Sequence, residues 1–378
     1  MSMITKPIML DETGKALVEA VNLLAITQGA APEFTSWKQI QTAVANGYGP
    51  KYFPVGTQLA VNHSVYGTRL FDVVAHDYLK SVHDENAHTM TIQQHDLLPS
   101  TQFDAPEAFY YADAALAAGT YNFTLAEAYS SWAAGTYQFT LTQTLPQGGQ
   151  LAISGYANAA MTSRQVRAYA NQTTTTVTES VAITSGSGGT SLGTFGVELN
   201  HSERVSYGSN NYKESAMRQF LGSSAAAGSV WTPQTKFDRP PSWLTSLAGY
   251  KNGLDQDFLA VVGKVVLPCA ANNTYEAPDS SIAKGAKYTL NDEFYLASVR
   301  EIFNTNWDVA DDSEVFPYYE GAGSADRIKY RDGSAANWWV RTPYSGYAGY
   351  VRRVNSDGTM NNHVAGGATD LAPACTIV

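Results

Sequence analysis

Residues 338–378 read WWVRTPYSGYAGYVRRVNSDGTMNNHVAGGATDLAPACTIV, and the fold of the chain is decided in this stretch. Apolar or stereochemically special residues mark a framework: Trp338, Trp339, Val351, Val354, Gly358, Leu371 and Pro373. Between them lie Tyr, Gly, Asn, Ser, Thr, His, Asp and Arg. The pattern predicts strands broken by Gly and Asn turns, with a framework that packs and intervening residues that do not have to.

The intervening residues obey a restricted alphabet. Tyr344 to Asp370 spans 27 residues with no Lys, Glu, Gln or Trp, and with Met360 as its one Met. An AAC or AAT codon randomised at both adenines encodes Asn, Tyr, Ser, Gly, Asp, His, Thr, Ala, Val and Arg, among others. It cannot encode Lys, Glu, Gln, Trp, Met or a stop. Only Met360 breaks the rule. A Gly- and Asn-rich hairpin surface that merely lacks long side chains would read the same way, so the alphabet alone leaves both accounts open.

The rest of the chain sets the class. Of 378 residues, 15% are charged, against about 25% in an ordinary soluble domain. Aromatics reach 12%, with 23 Tyr and 31 Gly. That many core-forming aromatics exclude a disordered chain, and the absence of long Ala/Glu/Lys/Leu tracts excludes a helical bundle. A net charge of −10 argues against a nucleic-acid partner, which asks for a basic surface. The expected class is α+β and β-dominated.

Along the chain, the apolar stretch from Ala16 to Ile26 is broken by Glu19 and Asn22, so it reads as neither a signal-peptide core nor a membrane span. Leu17, Val18, Val21 and Leu24 fall on one helical stripe, the mark of a short helix in residues 1–30 that docks on the body or makes an oligomer. Ser36 and Gly47 bracket a second helix over Trp37–Asn46. Between residues 117 and 200 charge nearly vanishes and AAGTYNFTL (117–125) returns as AAGTYQFTL (133–141). Both copies read as strands with one buried face, in a β-sandwich-like module. Further on, Lys213–Leu221 and Asp292–Ile302 read as helices, and Phe258–Leu267 as a β-branched strand.

No catalytic constellation stands out. His83, His88 and His95 do not have zinc-helix spacing and read as loop histidines. No GxSxG, GxxxxGK[ST] or strand-linked GxGxxG occurs. Asp308, Asp311, Asp312 and Glu314 lack the EF-hand pattern and read as a solvated loop. Two cysteines, Cys269 and Cys375, make no disulfide framework and suit a reducing compartment. No catalytic residue, metal or cofactor is expected.

The pattern WWVRTP…YVRRVNSDG…LAPAC, preceded by NNYKESAMRQFL, resembles a family of C-type-lectin-like domains from gut bacteria and their phages. Many of these are the variable proteins of diversity-generating retroelements, related in role to phage tropism determinants. The blocks YFPVGTQLAV, YGTRLFDVVAHDY and HTMTI resemble that family's N-terminal strands. Leu371-Ala372 departs from it, since relatives usually carry Gly-Val there. The resemblance implies a C-type-lectin-like (formylglycine-generating-enzyme-like) domain in two parts, 31–116 and 201–378. The β-rich module 117–200 is then an insertion, and the variable region begins at about residue 337. It further implies that Trp338, Trp339, Arg341, Pro343, Val351 and Pro373 are scaffold. The ligand-facing, diversified positions it implies are Tyr344, Gly346, Tyr347, Gly349, Tyr350, Arg353, Asn355, Thr359, Asn361, Asn362, His363, Gly366, Gly367 and Asp370.

The function this implies is non-enzymatic binding of a protein or glycan on a host or neighbouring cell surface, by a phage or prophage receptor-binding protein or adhesin. Such a protein is virion-associated, or cytoplasmic before release, and inserts in no membrane. A homo-oligomer is expected, a trimer by analogy with phage receptor-binding proteins. Two alternatives are a structural virion component with an invariant polar surface and a copper oxidase of the formylglycine-generating class using Cys269 and Cys375.

Overall fold

The computed structural model describes residues 17, 20–22, 24–25, 34–105, 108–126, 128, 132–154, 159–195, 210–234, 238–271, 286–305, 311–345 and 349–378. The fold is β-dominated, with short helices.

Alternation in the first strands starts one sheet. β1 (Gln58–His63) and β2 (Gly67–His76) pair antiparallel, and β2 runs into a continuous buried segment from Phe71 to Ala75. β3 (Met90–Gln94) is buried along its whole length because it lies between β2 and the last strand, β22 (Ala374–Ile377). β15 (Phe294–Tyr295) completes the order β1-β2-β3-β22-β15. β3 is thus locked to the last strand, with Ile92 opposite Cys375. The polar residues of β3 are satisfied within the core. Tyr319 donates to Gln93 Oε1 at 2.7 Å, Tyr250 donates to Gln94 Oε1 at 3.1 Å, and Thr91 pairs with Thr376 at 3.2 Å.

A second five-stranded sheet has the order β20 (Met360–Val364), β19 (Tyr350–Val354), β18 (Trp338–Pro343), β21 (Ala368–Leu371), β4 (Leu98–Gln102). The β18–β21 pair is parallel and the others are antiparallel. Two antiparallel pairs, β13 (Val265–Ala270) with β14 (Lys287–Asp292) and β16 (Lys329–Arg331) with β17 (Ser334–Ala336), fall between the strands of these sheets in sequence.

Two four-stranded sheets fill most of the interval from Tyr110 to Phe195. One has the order β10 (Glu179–Ala182), β9 (Gln165–Tyr169), β8 (Gln150–Ser154), β5 (Tyr110–Tyr111). The other has the order β11 (Thr184–Ser185), β7 (Gly135–Leu141), β6 (Gly119–Leu125), β12 (Thr190–Phe195). The two sequence copies are β6 and β7, paired antiparallel with each other. The register sets Tyr121 opposite Phe139 and Phe123 opposite Tyr137, with stacked rings 6.1 and 5.9 Å apart. On the other face Thr120 meets Thr140 and Thr124 meets Thr136, each at 3.0 Å. Each copy therefore supplies the cross-strand partners of the other. This segment has its own core, around Phe109, Trp132, Leu151, Ile153 and Val166, and Val364 of β20 reaches into it.

The helix Trp37–Ala45 is capped by the Ser36 side chain, and Gly47 follows at φ +77°. Leu17, Val21 and Leu24 are helical and 65%, 57% and 58% exposed; Val18 lies outside the described residues. Three expectations are corrected, by local caps and by tertiary pairing that overrides local pattern. Residues 213–221 split into a 3-10 turn, Tyr212–Glu214, and a helix, Ala216–Gly222, because Ser215 caps the latter. Residues 258–267 contain the end of a helix, Gln256–Leu259, and the strand begins only at Val265; Phe258 is buried against Phe71 and Phe294. Between 292 and 302 the helix is confined to Val299–Phe303. Phe294–Tyr295 is taken as an edge strand by β22, and the Ser298–Glu301 capping box starts the helix late. No helix among the described residues is long and apolar enough to cross a membrane.

Arg341, on β18, lies at the junction of these parts. Its guanidinium donates to Glu301 Oε2 at 2.6 Å and Oε1 at 2.9 Å, and to the carbonyls of Pro268 and Leu296. It also donates to Ser313 Oγ at 3.0 Å, and Asp311 Oδ2 stands 3.8 Å away. Burial works against its charge, but Glu301 holds the guanidinium well above its ordinary pKa. Asp311 is buried here, which corrects the solvated-loop reading at that residue, while Asp312 and Glu314 are exposed as that reading expects; Asp308 lies outside the described residues.

Arg341→Met or Glu301→Gln alone is expected to lose about 3–5 kcal/mol, because each leaves a buried polar group without its partner. Arg341→Met combined with Glu301→Leu should recover most of that loss in denaturant unfolding.

Candidate ligand-binding face

The register of β18, β19 and β20 sorts the tail residues onto two faces. Trp338, Val354 and Met360 stand opposite one another, as do Trp339, Arg353 and Asn361. Farther along, Val351 faces His363, Arg352 faces Asn362, and Tyr350 faces Val364. On the first face Trp338 and Val354 are buried with Val340 and Phe316, and Met360 packs against them. On the second, Trp339 and Val351 enter the main core with Phe103 and Leu371. Cover runs out toward the edge strand β20, where Arg353 and His363 are half-buried and Asn361 is exposed. His363 lies over Trp339, ring centroids 5.9 Å apart at 26°.

The scaffold positions are wholly buried. Trp338 Nε1 donates to Arg327 O at 3.3 Å, and Trp339 Nε1 donates to Thr101 O at 2.9 Å. Pro343 is buried, and so is Pro373, whose carbonyl accepts from Gln94 N at 2.8 Å.

The β19–β20 turn is tied by its own side chains. Asn355 N donates to Thr359 O at 2.7 Å, and Asn355 Nδ2 donates to Thr359 Oγ1 at 3.2 Å. Thr359 donates through both N and Oγ1 to Asp357 Oδ1, at 3.0 and 2.6 Å, and these bonds lower the Asp357 pKa. Gly358 sits at φ +77°, where a Cβ would fall 1.7 Å from Ser324 O, so the turn tolerates only glycine at this contact.

Of the other expected positions, Tyr344 and Tyr350 come together. Tyr344 N donates to Tyr350 O at 3.0 Å, and their rings are 6.3 Å apart. Gly349 is buried and its carbonyl accepts from Ala365 N. Gly366 O accepts from Gln102 Nε2 at 2.6 Å, and a Cβ on Gly367 would stand 2.4 Å from His363 Nε2. Asp370 is 3% exposed and takes Arg331 Nη1 at 2.6 Å, which groups it with the scaffold. Burial raises its pKa against the pull of Arg331. Gly346 and Tyr347 lie outside the described residues.

Two contributors were not singled out from the sequence. The Arg352 guanidinium lies 4.6 Å over the Tyr344 ring, and strand alternation places it beside Tyr350. Asn210 Nδ2 donates to Tyr350 O at 2.8 Å and Tyr344 O at 3.3 Å, holding the base of that loop from the start of the NNYKESAMRQFL block.

Elsewhere, a cleft of about 730 Å³ is lined by Tyr78, Ser81, His83, Glu85, Pro268 and Glu314. A second, of about 460 Å³, gathers Lys213, Arg218, Lys251 and Lys264 around Asp292 and Glu293. Among the described residues no three His, Cys, Asp or Glu side chains are grouped to hold a metal. Both thiols are buried: burial pushes Cys269 up to about 12 and Cys375 well above its ordinary value.

Residues 171–378, more than half of the chain, match the domain of unknown function DUF6273. The chain belongs to the DUF6273 family. The match begins just after β9 and takes in β18, β19 and β20, while β1 to β9 lie before it. No curated protein and no solved structure matches the chain.

His363 titrates below its ordinary value because burial, and then Arg353, disfavour its protonated form. A folded-state pKa below the unfolded one means that stability falls as pH drops from about 6.5 toward the folded pKa. In an NMR titration Arg353→Gln should move the His363 pKa upward, while burial still keeps it below the ordinary value.

Proposed function

We propose that this is a non-enzymatic ligand-binding protein with a C-type-lectin-like fold, whose C-terminal strands carry positions diversified by adenine mutagenesis through a retroelement. One observation carries the reading. The residues written in the restricted alphabet include a set that contributes little to the core: Tyr344, Arg353, Asn361, Asn362 and His363 are half-buried or exposed. The residues that hold those strands, Trp338, Trp339, Arg341, Val351 and Val354, are wholly buried. Changing the first set therefore need not disturb the second.

The chemistry of the open set suits recognition. Tyr supplies a large amphipathic contact area at low entropic cost, and Asn and His adapt their hydrogen bonds, as in antibody paratopes. The ligand would be a protein or glycan on a host or neighbouring cell, met by a phage or prophage receptor-binding protein or adhesin. The exposed stripe Leu17, Val21 and Leu24 is the surface a homo-oligomer would use.

Deep sequencing of the locus across related isolates tests this. Adenine-linked substitutions should concentrate at Tyr344, Tyr350, Arg353, Asn361, Asn362 and His363 and spare Trp339, Arg341 and Val351. Polymorphism spread evenly along the gene would contradict it.

A further inference from the structure

Several cations of the chain are paired with carboxylates, and Arg353 is not; among the described residues Arg69 shares its state, with a buried Nε and no salt bridge, but Arg353 alone of the two lies on the candidate face. Arg341 has Glu301, Arg218 has Asp292, Arg331 has Asp370 and Lys251 has Glu293. The chain carries 34 acidic against 24 basic residues, so carboxylates are plentiful. Yet Arg353 makes no salt bridge among the described residues, and its Nε is buried with no hydrogen-bond partner. Burial alone accounts for its lowered pKa, with no carboxylate contributing. A guanidinium half-removed from water with no carboxylate beside it carries a desolvation cost that an anion at its outer edge would offset.

Its neighbours on the face are donors too. Register sets Asn361 directly opposite Arg353 and His363 on the diagonal, with Trp339 on the inner side. The Asn361 side-chain oxygen is occupied, accepting from Asn362 N at 2.8 Å, so its NH2 group is what it presents to an incoming molecule. Burial and then Arg353 disfavour the protonated form of His363, which stacks on Trp339; its neutral ring offers one N–H.

We propose that Arg353, Asn361 and His363 form a subsite for an anionic group of the ligand, a carboxylate or a phosphate. The planar guanidinium matches two oxygens of such a group, the Asn361 amide adds a third donor, and Trp339 with Val351 gives the subsite an apolar floor. The inference rests on the reading of this face as a ligand-binding surface.

The experiment is a titration of the full-length protein labelled with 15Nε-arginine, at constant ionic strength made up with chloride. Acetate is the probe in one arm and inorganic phosphate in the other. The Arg353 Nε–H resonance should shift saturably in at least one arm, and the arm that responds names the anion. Arg353→Gln assigns the resonance by deleting it, and the other arginine resonances of that variant should not respond to the anion. Asn361→Asp, which sets a carboxylate beside the guanidinium, should weaken binding about tenfold, the change expected for losing one charge-assisted hydrogen bond. If neither acetate nor phosphate moves Arg353, or chloride moves it equally, the subsite is wrong. That failure would leave the locus-sequencing result untouched, so the two readings fall separately.

Discussion

A buried guanidinium must find several partners at once, and here Arg341 bonds to four other residues. Arg341 joins β18 to the Pro268 carbonyl on β13, the Leu296 carbonyl after β15, Glu301 on the short helix and Ser313 in the following loop. Desolvating such a charge costs several kcal/mol, and only dense partnering repays it. The geometry is therefore specified closely, because few arrangements of those four segments satisfy every donor. β18 is fixed in position, and with it the directions of Trp338 and Trp339, which feed different hydrophobic clusters from adjacent positions.

From that fixed strand the rest of the candidate face is hung by register. β19 pairs with β18, β20 with β19, and the alternation of side chains settles what is packed and what is open. Val351 and Val354 anchor β19 while Arg352 and Arg353 stay half-buried. Gly358 seats the turn against Ser324, so the tip of the hairpin is docked too. Tyr350 and Val364 reach the core of the segment built from β5 to β12, so that segment buttresses one end of the face.

Much of this was legible in the residues. The capped helix after Ser36, the one-face-buried strands at 119–125 and 135–141, and the buried tryptophans follow from caps, alternation and bulk, which are local signals. Adjacent elements were misread where distant partners decided the outcome. Phe294 and Tyr295 sit in a helix-like run but are claimed by β22, from the far end of the chain. Asp370 obeys the same alphabet as its neighbours, yet Arg331 draws it inward, and no pattern along the strand announces that pairing. Asn210 is separated from the loop it supports by more than a hundred residues, so proximity in sequence gave no hint of its role. Chemistry that depends on which side of a strand faces water was visible; chemistry that depends on which strands meet was not.

The central claim is that the scaffold is stable without the residues it displays. One measurement addresses it directly: the thermal unfolding midpoint of a variant carrying Ser at positions 344, 353, 361, 362 and 363 together, compared with the unmodified chain. The account predicts a midpoint within about 3 °C and an unchanged cooperative transition. A drop of more than about 10 °C would mean that these side chains hold the fold, and would contradict the separation of scaffold from face.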